Sequence, residues 1–406
     1  MADANVGENR RVRRAAREDG RSAARSRASR HARLRLRLAI ALPLAMWFPE
    51  LSRSAGSVEP SATIDRIVRS YHQEDRFSGA ALVAAADRVV YRKALGLADE
   101  SWEVPNTLDT RFQIGSLTKQ FTAALLLDLQ HQGKIDLDVP FSRYLPTHRA
   151  DVAQVVTARQ LLTHTAGIPD FVRRPDILEI VKNPVTPPEL LGRYCSGPPE
   201  FPPGSQFKYS NCGYLILGAI YERVAGRSYA EGLAELVARA GMHDTGVAGP
   251  RDLVPRLAAG YVEEKGVRRK APYIDWSIAF SSGSVYSTVE DLWRWRQALR
   301  NGAALRPGAD DEIFSPRPFG YSFGWHVGRT NREQLEEFLS SDYDVHPPSA
   351  EMTLRVASHS GDLSGFHSCM TLFLDGSWTV ILLDNHDSKV LPILAAEILR
   401  ALLPPG

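Results

Sequence analysis

Cysteine is scarce in this chain, with Cys195, Cys212 and Cys369 the only three in 406 residues. None forms a CxxC pair, and an odd count is a poor disulfide framework, so all three are expected to be small buried hydrophobes. Metal-ligand patterns are missing too. Eleven histidines are present, but there is no HExxH and no closely spaced Cys/His cluster, so neither a metal nor a cofactor is expected. The apolar run "LAIALPLAMWF", residues 38–48, has eleven residues. A spanning helix needs roughly 20, so no stable membrane span is expected. No internal repeat is visible.

The formal charge of +2 conceals an asymmetry. Residues 1–38 hold twelve arginines against four acids (Asp3, Glu8, Glu18 and Asp19), while the rest carries thirty-seven bases and forty-three acids. The body is therefore mildly acidic, which argues against a nucleic-acid partner. The basic head lacks apolar periodicity and is expected to be disordered. The apolar run that follows, with "SAG" at 54–56 as a small-residue cleavage site, reads as a secretory signal. Residues 1–56 are thus set apart from a body at 57–406, and an exported protein, periplasmic or secreted, is expected.

The whole chain has 44% hydrophobic and 24% charged residues, and its body is long enough for one large domain or two closely joined ones. "SATIDRIVRSYHQE" (61–74) has the period of an amphipathic helix capped by Ser61 or Thr63. Residues 78–99 read as two strands with a turn near Asp87 and Arg88. "TLRVASHSG", "FHSCMTLFLDG" and "WTVILLDNHD" read as further strands, and "VLPILAAEILRALL" as a closing helix. Strands at both ends with a helical middle predict an α+β fold. One antiparallel sheet is built from both chain ends and flanked by helices, with an all-α lobe inserted at about 120–270.

Chemistry enters at "RFQIGSLTKQFTAALLLDLQHQGKIDL", residues 111–137. Ser116 and Lys119 lie three apart at the start of an apolar helical pattern, so they share one helix face. A serine hydroxyl needs a base to become a nucleophile. A lysine becomes a base when burial and the positive end of a helix lower its pKa. Downstream, "FPPGSQFKYSNCGYLILGAIYERVAG" sets Tyr209 and Asn211 on a structured loop before another apolar helix. A tyrosine hydroxyl relays protons, and an asparagine amide can hold both a lysine and a carbonyl. "RVASHSGDLSGF" then places His359, Ser360 and Gly361 at the end of a strand, where Gly361 would let a substrate backbone approach closely. His164 in "LLTHTAG" reads as a structural residue of a turn after a helix.

These segments, with "LLTHTAGIPDF" and "SSGSVYSTVEDLWRW", occur in an order that resembles the serine β-lactamase and penicillin-binding-protein superfamily, in its class C β-lactamase, DD-peptidase and esterase branch. The resemblance spans roughly residues 60–400. It implies an α/β domain beside an all-α domain, with the site between them. It also implies roles: Ser116 is acylated, Lys119 helps deprotonate it, and Tyr209 shuttles protons. Asn211 would contact lysine and substrate, and His359, Ser360 and Gly361 would form the substrate-binding sheet edge. The backbone N–H groups of Ser116 and Asp362 would form an oxyanion hole.

The third element departs from the pattern. Many β-lactamases carry Lys-Thr-Gly where this chain has His-Ser-Gly. A histidine that is neutral at pH 7 anchors a carboxylate less well than lysine does. The swap argues against an efficient β-lactamase and leaves a peptidase open; ester turnover is expected to exceed β-lactam turnover, with His359 able to gain charge near its unperturbed pKa of about 6.5. The charged insert at 328–351 is expected to hang near the cleft. The reading is an exported serine hydrolase acting on an ester, amide or β-lactam bond of a small-molecule or peptide substrate. The alternatives are a D-peptidase or DD-carboxypeptidase, and a catalytically idle binding protein.

Overall fold

The computed structural model describes residues 59–247, 249, 252–340 and 352–404. The basic head and the signal segment lie outside the described residues, as does the 341–351 part of the charged insert.

Both chain ends contribute to one sheet. Its strands are β1 (Gly79–Ala85), β2 (Arg88–Leu95), β3 (Tyr321–Ser322), β4 (Trp325–Thr330), β5 (Leu354–Leu363), β6 (Phe366–Phe373) and β7 (Trp378–Asp384). The order is β3-β4-β5-β6-β7-β1-β2, and every neighbouring pair is antiparallel. The period of two is legible in β1. Ala80, Leu82 and Ala84 enter the core shared with the helical middle, while Ala81 and Val83 enter a second core on the opposite face. Helices α1 (Pro60–Gln73) and α6 (Leu391–Leu402) cover that second face through Ile64, Val68, Leu394 and Leu399. The start of α1 differs from the expected cap. Pro60 occupies the first turn after Glu59, and no side chain caps the helix. Proline needs no partner for the N–H it lacks, so a cap at Ser61 or Thr63 is unnecessary.

Between the sheet's two sequence segments, α2 (Thr118–His131), α3 (Asn211–Ala225), α4 (Tyr229–Arg239) and α5 (Val289–Asn301) pack with shorter helical turns. Every residue of α2 from Thr118 to Leu127 is buried, so the apolar run Phe121–Leu127, broken only by Thr122, shows no exposed polar stripe. A short hairpin, Tyr261–Glu264 with Val267–Lys270, lies in the middle segment where helix was expected. No helix among the described residues is long and apolar enough to cross a membrane.

The cysteine expectation is corrected. Cys195 and Cys212 form a disulfide with a Cα separation of 5.3 Å, and only Cys369 is free and buried. The fold lays the end of helix Pro187–Tyr194 beside the first turn of α3. Sequence spacing carries no record of that approach.

Candidate active site

Ser116 sits in the single turn Gly115–Leu117 that leads into α2. Gly115 has φ +49, a left-handed conformation that favours glycine, and a Cβ there would lie 2.9 Å from the backbone nitrogen of Asp362. The turn is therefore pressed directly against the end of β5. Gly361 serves the same approach. A Cβ on it would overlap the carbonyl oxygen of Ile114, which also accepts a 2.8 Å hydrogen bond from Ser368 Oγ. The role expected for Gly361 is corrected accordingly, because the chain that comes close to it is the protein's own.

Lys119 is fully buried. Its Nζ lies 2.9 Å from Ser116 Oγ, 2.8 Å from Asn211 Oδ1 and 2.9 Å from the Ser282 carbonyl. Burial pushes its pKa down to about 7, partly opposed by the carboxylate of Asp170. A neutral amine keeps two N–H donors and one lone pair. The ammonium donates to all three oxygens; once neutral, with its donors on Asn211 and Ser282, it would turn its lone pair to the Ser116 hydroxyl. Tyr209 donates a 2.9 Å hydrogen bond to Ser116 Oγ from the other side. Asn211 in turn donates to Asp170 Oδ2 at 3.0 Å. Asp170 is mostly buried, and that burial raises its pKa. Asp170 and the Ser282 carbonyl are site groups that sequence reasoning missed. Asp170 stands inside the quoted "GIPDF", but nothing in its spacing linked it to Asn211.

His164 lies behind Tyr209. Its ring centroid is 4.2 Å from the Tyr209 ring, and its Nδ1 accepts the Ser210 N–H at 3.2 Å. Burial and the nearby Lys119, His359 and His326 hold its pKa well below the ordinary value. A neutral ring packed against Tyr209 agrees with a structural role.

The sheet wall of the site carries β5. His359 is 4% exposed. Its Nε2 lies 2.9 Å from the Tyr321 hydroxyl and its Nδ1 2.6 Å from the carbonyl of Ser360. Nδ1 must donate to that carbonyl, so in the neutral ring Nε2 accepts from the Tyr321 hydroxyl. Burial, with His326 and Lys119 nearby, drives the pKa well below its usual value. The expectation that His359 titrates as a carboxylate anchor near 6.5 is therefore corrected. Its polar atoms are already engaged, and among the described residues no carboxylate is bonded to it. Tyr321 and His326 from the neighbouring edge were not foreseen.

Ser116, Tyr209, Asn211, His359, Ser360 and Asp362 line one cleft of about 610 Å³. Its helical wall is apolar, with Phe171, Ile177, Val181 and Ile278 among the lining residues. Phe338 and Leu339, from the described part of the charged insert, line it too. Arg173 and Lys389 also reach this cleft. No group of histidine, cysteine and acidic side chains able to hold a metal occurs among the described residues.

Comparison with known proteins agrees with this architecture. Residues 64–402 match the Beta-lactamase family model. Penicillin-binding protein 4* of Bacillus subtilis is 27% identical over 340 residues, covering 78% of this chain and 69% of that protein. Esterase EstB of Burkholderia gladioli is 34% identical over 203 residues, covering 46% of this chain and 51% of EstB. Among solved structures, a penicillin-binding protein from Bacillus halodurans superposes with a TM-score of 0.70 at 25% identity, covering 84% of this chain and all of that one. D-amino acid amidase from Ochrobactrum anthropi shares the fold, with a TM-score of 0.70 at 24% identity over 85% of this chain and 98% of its own.

Proposed function

The chain belongs to the beta-lactamase family, and from that membership and the geometry of its cleft we propose a serine hydrolase that favours esters or amides with a neutral, apolar acyl group. The observation that carries this reading is the placement of Lys119, a buried amine 2.9 Å from the Ser116 hydroxyl whose pKa burial lowers to about 7, so that its neutral form can take the serine proton. Ser116 Oγ attacks the substrate carbonyl as its proton passes to Lys119. The oxyanion forms against the backbone N–H groups of Ser116 and Asp362. As the acyl–oxygen or acyl–nitrogen bond breaks, Tyr209 delivers a proton to the leaving group and recovers one from the Lys119 ammonium. Water then attacks the acyl-enzyme and loses one proton to the Tyr209–Lys119 pair, and as the acyl–Oγ bond breaks that proton passes to Ser116 Oγ, releasing the acid and regenerating the serine.

Two features support the apolar acyl preference. The helical wall presents Phe171, Ile177, Val181 and Ile278. The third element offers a neutral His359 in place of a fixed cation. The buried Cys195–Cys212 disulfide supports export, since such bonds persist in oxidising compartments.

The test is covalent labelling with a fluorophosphonate and a fluorescent penicillin, followed by turnover of p-nitrophenyl butyrate and nitrocefin. The wild-type chain should label, and Ser116→Ala should not. The butyrate ester should turn over with the higher kcat/KM. A folded wild-type protein dark to both probes would leave a binding protein and sink the hydrolase reading.

A further inference from the structure

The hydrolytic scheme leaves one ionised cluster on the sheet wall without a task. His367, on β6, pairs across the strands with Asp362 and lies opposite Asp384 of β7. Its ring is buried, and both nitrogens meet carboxylates, Nδ1 that of Asp362 and Nε2 that of Asp387 at 2.7 Å. A ring that donates from both nitrogens is an imidazolium. Asp362, His367 and Asp387 all line the cleft beside Ser116.

We infer that His367 is a positioning residue, which holds Asp362 between the strand end and Asp387 so that the Asp362 backbone N–H stays aimed at the Gly115–Ser116 turn. The inference rests on the proposed role of Ser116. The geometry is tight, since a Cβ at Gly115 would lie 2.9 Å from that nitrogen. The groups facing His367 come from three elements: Asp362 on β5, Asp384 on β7, and Asp387 on the segment that follows β7, where Lys389 also lines the cleft. Burial pushes the Asp384 carboxyl up to about 7, so it is a weaker counter-charge than the other two acids. Burial disfavours the charged ring, but the bonds to Asp362 and Asp387 outweigh it and raise the pKa of His367. The sign follows directly. The clamp is complete below the ordinary histidine pKa of about 6.5 and is lost as pH rises through the raised value. A neutral ring keeps one N–H, so one carboxylate then faces a lone pair and the strand end loosens.

The pH profile of p-nitrophenyl butyrate hydrolysis tests this on the full chain. Wild-type kcat should be bell-shaped, with an acid limb near 7 from Lys119 and an alkaline limb from His367. Asp387→Asn, at an exposed position, should move the alkaline limb to lower pH. His367→Gln should remove that limb and lower kcat about tenfold with little change in KM, as expected for a misaligned oxyanion donor. A readout independent of turnover is the ring titration of His367 by nitrogen-15 NMR in Ser116→Ala. Both ring nitrogens should stay protonated above the ~6.5 of a free imidazole. A ring already neutral there, or an alkaline limb unmoved in folded Asp387→Asn, overturns the inference. Failure of the hydrolase reading would look different, as a wild-type protein that turns nothing over while His367 still titrates high.

Discussion

The two walls of the cleft handle buried basic groups in opposite ways. On the helical wall, Lys119 is stripped of water and given neutral partners, Asn211 Oδ1 and the Ser282 carbonyl, and its pKa falls to about 7. On the sheet wall, two histidines eight residues apart are both 4% exposed. His359 has a tyrosine and a carbonyl as partners and its pKa is driven down, whereas His367 has two carboxylates and its pKa is raised. Burial alone does not decide charge. The first hydrogen-bond partner does, because desolvation disfavours every buried ion and only an opposite charge or a matched acceptor offsets it.

The largest test of this contrast is Lys119→Ala. Acylation should fall by roughly 10²–10⁴-fold, the range for loss of a positioned general base, as read from burst amplitudes and rates. A loss confined to KM would mean that Lys119 binds substrate rather than activating Ser116. Next comes His359→Lys. An amine placed beside Lys119 and His326 has no counter-ion, so unfolding in urea should show a destabilisation of roughly 3–5 kcal/mol. Stable protein with improved turnover of carboxylate substrates would restore the anchor role. Acidification should also leave those substrates no better. The depressed pKa of His359 means that its contribution to stability is present above about 6.5 and is lost as pH falls through the folded value.

A smaller effect is expected from replacing both Cys195 and Cys212 with alanine. The bond closes a loop with a sequence separation of 17, and its loss should cost about 3 kcal/mol. Because Tyr209 and Asn211 lie on that loop beside Cys212, kcat should fall along with stability. A double mutant with lower stability and unchanged kcat would separate the loop from the site. The smallest effect belongs to Phe338→Ala, which widens the cleft away from Ser116. It should shift preference toward longer acyl chains by less than about tenfold in kcat/KM, measured across a series of p-nitrophenyl esters.

Much of this was legible beforehand. Ser116 and Lys119 were readable because a helix ties positions three apart to one face. The strands of 78–99 and 354–384 were readable from alternation and turn residues. Other features depend on contacts between distant segments, which local pattern does not encode. Asp170 meets Asn211 41 residues away, and Cys212 meets Cys195 across a loop. His359 and His367 look alike in sequence, since each stands in a β-run next to a serine. Only the strand register, which sets Asp362 against His367, and the edge strand β3 beyond β4, which brings Tyr321 to His359, tell them apart.

The contact between Gly361 and the Ile114 carbonyl has a mechanical and evolutionary consequence. With no room for even a methyl group between them, the strand edge and the turn bearing Ser116 shift as one body. Any breathing that admits a bulky substrate must therefore come from other parts of the lining, such as Val172 and Leu178. Mutations accumulating there can retune what the cleft accepts while the reacting atoms keep their spacing. The same fold can thus drift between acyl donors by steps that leave its chemistry untouched.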